Sequence, residues 1–148
     1  MEKDEVGVFG YFIDRTAKAI KADLNDRFRS LNADITPEQW LLLSKLYNTD
    51  GLSQVELGDS TYKNAPTISR IIDLLCKKGL AERQPHEADR RKFKIYITDQ
   101  GKDLVQLTMP QVINARVDGW EGLTTEDYSD FIRIINNCLL YTSDAADE

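Results

Sequence analysis

Histidine is nearly absent from this chain and cysteine is scarce, with one His and two Cys in 148 residues. The single imidazole, His86, sits in a polar turn and completes no convincing Ser/His/Asp set. No cluster of His, Cys and carboxylate has metal-ligand spacing. Cys76 and Cys138 are too few for the disulfide framework of a small secreted protein. No glycine-rich stretch is built to cradle a phosphate. No apolar run approaches the roughly 20 residues that a membrane span requires. The acidic start MEKDEVG lacks the basic and apolar regions of a signal peptide. These absences lead us to expect a cytoplasmic protein with no catalytic centre, no metal, no cofactor and no membrane partner.

What is present is a hydrophobic fraction of 41%, enough for a packed core, and a net charge of −6 that is unevenly spread. Between Ser53 and Lys94 nine basic residues face six acidic ones, a local balance of +3. A basic patch on an acidic body can still steer a polyanion towards itself.

Phe9, Ile13, Ala17, Ile20, Leu24, Phe28 and Leu31 recur at three- and four-residue steps, which predicts a long helix over about residues 6–30. Its apolar stripe needs cover, from either the same chain or a second subunit. Thr36, Pro37 and Gln39 read as the capped start of a second helix, with Trp40, Leu43, Leu46 and Tyr47 on its apolar face. Ser53 and Glu56 form another capping box and open a short helix. Asn64 caps the next one, expected to run to about Lys78 with Ile68, Ile71, Ile72 and Leu75 inward and Gly79 as its left-handed stop. A strand over residues 80–84, a charged turn over 85–92 and an alternating strand over 93–97 (Phe93, Ile95 and Ile97 against Lys94 and Tyr96) make a hairpin with an extended tip. Thr98 caps a long helix that Pro110 should kink, and a last helix starts at Thr124 or Thr125.

Two short helices joined by a turn, the second followed by a basic hairpin, form a winged helix-turn-helix. The second helix can fill a major groove. Thr67 and Ser69 can donate or accept at base edges or phosphates, Arg70 can reach guanine or phosphate, and Lys63 favours phosphate. Arg90 and Arg91 project from a thin ribbon suited to a minor groove. Asp89 would be repelled by phosphate, so its expected task is to hold an arginine and stiffen the wing. Ser53, Gln54, Asn64 and Lys92 complete the candidate DNA contacts.

Thr67-Ile68-Ser69-Arg70, Leu75, Lys78-Gly79-Leu80, Asp89-Arg90-Arg91, Ile95 to Thr98 and Gly101 together resemble the MarR family of bacterial transcription regulators. The resemblance extends to about Asn137. It implies a mainly α fold with a small β-hairpin wing. Residues 35–98 would be the winged helix-turn-helix, and 1–34 with 99–137 a helical dimerisation region. It also implies a homodimeric repressor on a pseudo-palindromic operator in double-stranded DNA. By position, residues 64–78 become the recognition helix, Arg91 the minor-groove contact and Arg90 a phosphate contact. Many members release DNA when a small aromatic or phenolic ligand binds between the dimer helices and the winged lobe. Phe12, Trp40, Tyr47 and Met109 are the candidate lining here, with plain core packing as their other reading. The alternative function is a winged-helix protein-interaction module without operator binding, which the retained Arg70, Arg90 and Arg91 disfavour.

Residues 138–148 fit the family poorly. They read as the translation of a transposon adapter used in sequencing libraries, so a non-native tail is expected there.

Overall fold

A computed structural model of the chain describes residues 8–89 and 91–146, with side chains described through residue 140. The elements run α1 (Phe9–Ser30), α2 (Pro37–Asn48), β1 (Leu52–Ser53), α3 (Gln54–Thr61), α4 (Ala65–Lys77), β2 (Ala81–Pro85), β3 (Phe93–Ile97), α5 (Asp99–Gly119) and α6 (Thr125–Ala146). This is the expected mainly helical fold with a small β wing. The chain divides into two compact units, Met1–Ile113 and Asn114–Glu148. No helix among the described residues is long and apolar enough to cross a membrane.

Local chemistry sets the helix boundaries. In the capping box of α2 the Gln39 N–H donates to Thr36 Oγ1 at 3.2 Å and the Thr36 N–H donates to Gln39 Oε1 at 3.3 Å. Ser53 and Glu56 repeat the arrangement at α3, and Asn64 Oδ1 accepts from the Thr67 N–H at the start of α4. The far end of α4 is a Schellman stop. The Gly79 N–H donates to the Cys76 carbonyl, the Leu80 N–H donates to the Leu75 carbonyl, and Gly79 takes a φ of 74° that a side chain would resist.

The chain then turns directly into the wing. β2 and β3 pair antiparallel from Ala81↔Ile97 to Pro85↔Phe93. The hairpin is not alone, because β1 adds to its other edge through Leu52↔Ile95 and Ser53↔Lys94, giving the order β1-β3-β2. Phe93, expected on the half-buried face with Ile95 and Ile97, is 40% exposed. It pairs with Pro85 at the outer end of the ladder, beyond the reach of the core.

The core of the first unit gathers Leu42, Leu43 and Leu46 of α2, Leu57 of α3, Ile68, Ile71, Ile72 and Leu75 of α4, and Ile95 and Ile97 of β3. Val105 and Val112 of α5 join it. The α1 stripe splits between its two possible roles. Phe28 is buried, with Leu24 and Leu31 packed against the core, while Phe9, Phe12, Ile13 and Ile20 remain about half exposed. Trp40 lies inside, its ring 6.4 Å from that of Phe28, and its Nε1–H donates to Thr108 Oγ1 at 2.9 Å. Thr108 in turn donates to the Leu104 carbonyl. A buried indole N–H is thereby satisfied within the core.

In the second unit Trp120 meets Tyr128 and Phe131 edge-on at 5.2 and 5.5 Å. Thr124 caps α6: its Oγ1 accepts from the Asp127 N–H, and its own N–H donates to the Asp127 carboxylate. The Thr124 N–H, together with the Thr124 hydroxyl, which also donates to the carboxylate, holds the Asp127 carboxyl below its ordinary range.

Thr98 joins the wing to α5. Its hydroxyl donates to the Gly79 carbonyl and accepts from the Gly101 N–H. The helix can lie this close only because position 101 is glycine. A Cβ there would stand 2.2 Å from the Leu80 carbonyl oxygen and 2.8 Å from Ile97 Cγ1. Gly101→Ala should therefore lower stability by about 1–3 kcal/mol, the usual cost of overpacking. The expected readout is a reduced urea midpoint with an unchanged slope. An unaltered midpoint would contradict this close approach.

Candidate nucleic-acid interface

The 13 residues of α4 make a rod about 20 Å long. Ile68, Ile71, Ile72 and Leu75 are each at most 1% exposed, which fixes the rotation of the helix about its axis. With those positions inward, Arg70, Asp73 and Lys77 are exposed, and Thr67 and Ser69 are half-exposed. The candidate base contacts thus share a helix whose opposite face is locked. Asn64 is less available than its exposure suggests, because its side-chain oxygen is occupied in capping. Ser53 Oγ likewise accepts from the Glu56 N–H, leaving its hydroxyl hydrogen to offer. Gln54 is half-buried in the first turn of α3.

Lys63 does not project freely from the turn before α4. Its side chain is only 18% exposed and its Nζ lies 3.8 Å from Glu38 Oε1. The same carboxylate accepts a hydrogen bond from Lys21 Nζ of α1 at 3.1 Å. The Glu38 carboxyl is held below its ordinary range, first by the Lys21 bond, against the opposition of burial, and then by the charges of Lys63, Lys21 and Arg70. Glu38 is therefore an electrostatic neighbour of two candidate DNA contacts, although it lies at the far end of a different helix.

The wing loop is closed by its own backbone. The His86 N–H donates to the Lys92 carbonyl at 2.8 Å, and the Lys92 N–H donates to the Asp89 carbonyl at 3.0 Å. The Ala88 N–H adds a bond to His86 Nδ1. Asp89 acts differently from expectation. Among the described residues its carboxylate accepts from the backbone N–H of Arg91, at 3.0 Å, rather than from a guanidinium. A short acidic side chain folding onto the main chain two residues ahead is the commoner turn device, and it leaves the Arg91 side chain exposed. Lys92 is exposed as well. Arg90 lies outside the described residues. The root of the wing is tied to α4 by an ion pair from Arg83 on β2 to Asp73, at 2.5 Å.

The four candidate ligand-lining residues occupy different settings. Phe12 is exposed, Tyr47 is 38% exposed with its hydroxyl accepting from Gln106 Nε2, Trp40 is buried, and Met109 packs against the core. A cavity of about 380 Å³ opens elsewhere in this unit, lined by Asn32, Asp34, Lys78, Leu80, Gln100, Asp103, Leu104 and Leu107. Burial pushes the Cys76 thiol up, away from the reactive thiolate form. Among the described residues no group of three His, Cys, Asp or Glu gathers as a metal site.

Sequence reasoning missed Glu38, Arg83 and Tyr62. Tyr62 caps α3 in the left-handed region at φ 54° and is 83% exposed just before α4. An aromatic between a fading helix and an asparagine cap was the available signal. Nothing local marks the other two, since their partners lie 25 and 10 residues away.

The depressed carboxyl sets a pH dependence. Because Glu38 titrates below 4.5 in the folded chain, its contribution to stability is fully present above that pH and is lost as pH falls through the folded pKa. Lys21→Ala removes the largest cause. Plotted against pH below 4.5, the stability of that variant should fall less steeply than the parent's. Identical slopes would contradict the Lys21–Glu38 link.

The MarR family model matches residues 33–92, the segment that holds α2 to α4 and the wing. Among solved structures, MepR of S. aureus in complex with DNA superposes with a TM-score of 0.83 at 23% identity, covering 90% of this chain and 97% of that one. A MarR variant from E. coli complexed with operator DNA gives 0.82 at 22% identity, covering 92% and 96%. BpsR of Bordetella bronchiseptica, solved to address regulation of its DNA binding by 6-hydroxynicotinic acid, gives 0.79 at 20% identity, covering 88% and 91%. At these identities the structures establish a shared fold along nearly the whole chain. The MarR family's own pattern thus runs through residues 33–92, and the fold around it is shared with these solved structures along nearly the whole chain.

Proposed function

We propose that the chain is a sequence-specific DNA-binding transcription regulator, acting as a homodimeric repressor in the cytoplasm. The observation that carries this reading is α4: a helix whose rotation is locked by four fully buried side chains and whose outer positions hold Thr67, Ser69 and Arg70. A major groove about 12 Å wide admits such a helix, and the Arg70 fork suits guanine or phosphate. Arg91 on the closed wing loop is the minor-groove contact, with Arg90, Lys92, Ser53 and Gln54 on phosphates. That MepR and MarR, which share this fold, were solved in complex with DNA supports the DNA-binding reading.

Residues 35–98 form the DNA-binding domain in this reading, residues 1–34 and 99–137 the dimerisation region, and residues 138–148 a foreign tail. Exposed Phe9, Phe12, Ile13 and Ile20 on α1 support a subunit interface, as do Tyr128, Phe131 and Ile134 on α6. A two-fold dimer would read two half-sites about 34–36 Å apart, hence a pseudo-palindromic operator. Release by a small aromatic or phenolic ligand completes this reading, and the regulation of BpsR's DNA binding by 6-hydroxynicotinic acid supports it. Phe12 and Tyr47 offer the exposed rings for it, while Trp40 and Met109 would form its inner wall.

Duplexes selected from random DNA provide the test. Arg91→Ala should bind the selected sequence more weakly by about 1–3 kcal/mol and keep the parental urea midpoint. The logarithm of the parent's binding constant should fall linearly with the logarithm of salt, by about 0.9 per neutralised phosphate. A salt-independent, sequence-blind isotherm would overturn the reading.

A further inference from the structure

We propose that Glu38 restrains this DNA-binding face: it neutralises Lys63 and keeps affinity for the phosphate backbone below what the basic residues would otherwise provide. The inference rests on the DNA-binding reading above and adds to it an acidic residue that touches no base.

Three cations converge on one carboxylate. Lys21 Nζ is 3.1 Å from Glu38 Oε1, Lys63 Nζ is 3.8 Å from the same atom, and the charge of Arg70 reaches it as well. A lysine on a surface turn ordinarily keeps its ammonium in water. Lys63 instead lies largely covered, with its head directed at α2. Glu38 is itself 37% exposed, so its charge is felt at the surface as well as by its partners. A phosphate approaching the start of α4 would meet a lysine already paired, with the carboxylate that pairs it close behind. An ion pair this exposed is weak, so Lys63 can change partners. When it does, Glu38 keeps only Lys21 as its partner, and the repulsion between its charge and the phosphate opposes part of the new contact. Lys63 thus contributes little while Glu38 is charged, and Glu38 sets how strongly this end of α4 engages DNA regardless of sequence.

The test is a fluorescence-anisotropy titration of the full chain against the selected duplex and a scrambled one, over a range of salt. Glu38→Gln keeps an acceptor for Lys21 and removes the charge. It should bind both duplexes about three- to tenfold more tightly at low salt, as expected for deleting one like charge near the phosphates. Its salt slope should steepen by about 0.9, one further counterion. Glu38→Ala should move in the same direction, since the charge rather than the hydrogen bond is at issue. Lys63→Ala should cost less than about twofold in the parent, yet remove most of the gain in the Glu38→Gln background, a non-additivity expected only of coupled charges. Parental affinity and slope in both Glu38 variants would overturn the proposal. So would weaker binding in both, which would make Glu38 a support for Lys63. Arg70→Ala separates the two levels. If it abolishes binding while the Glu38 variants match the parent, only this inference fails. If the parent itself binds neither duplex, the DNA-binding reading fails and this inference with it.

Discussion

Water is excluded completely from one face of α4, and the arrangement of everything around it follows from that exclusion. Burying Ile68, Ile71, Ile72 and Leu75 contributes about 1.5–3 kcal/mol apiece, far more than any exposed polar contact on the opposite face. The helix cannot turn about its axis without surrendering that burial, so the outward direction of Arg70 is a consequence of packing. The Asn64 cap and the Gly79 stop then fix where the helix begins and ends. Gly79 also delivers the chain straight into β2, and Thr98 ties the returning strand back to the Gly79 carbonyl. Wing and helix are therefore held to one frame by short-range bonds, with the Asp73–Arg83 pair as a side-chain link between them.

Charge is organised at a finer scale than the net value of −6 implies. Several basic residues between Ser53 and Lys94 are already engaged inside the fold. Lys78 Nζ donates to the Asp34 carbonyl and to Gln39 Oε1, Arg83 pairs with Asp73, and Lys63 pairs with Glu38. Among the described basic residues proposed to meet DNA, Arg70, Arg91 and Lys92 are exposed. A count of basic residues overstates the attraction this surface offers a polyanion, and the distribution of their acidic partners decides how much of it remains.

Much of the fold was legible because its signals are local. Thr36 with Gln39, Ser53 with Glu56, and Asn64 with Thr67 each lie within four residues, and every one of these caps forms. The inward row of α4 is equally local, written in the three- and four-residue spacing of its isoleucines. What escaped depends on distant partners. Leu52 and Ser53 are a strand only because Ile95 and Lys94 lie beside them, and two residues carry no alternation of their own. Phe93 alternates correctly with Ile95 but sits past the edge of the core. Among the described residues Asp89 bonds the Arg91 backbone rather than a guanidinium, a choice between nearby donors that composition cannot decide. The grip of Glu38 on Lys63 joins positions brought together only when α2 and α4 pack.

The claim at the centre is that packing of α4 presents Thr67, Ser69 and Arg70 to a major groove while the wing brings Arg91 to the groove beside it. Amide chemical-shift mapping of the isotope-labelled chain, titrated with a selected duplex, tests it residue by residue. The largest saturable changes should fall on residues 62–70 and 86–92, with the backbone of Ile71 to Leu75 nearly unmoved. Changes confined to α1, α5 or α6, or a duplex that perturbs no amide of α4, would contradict it.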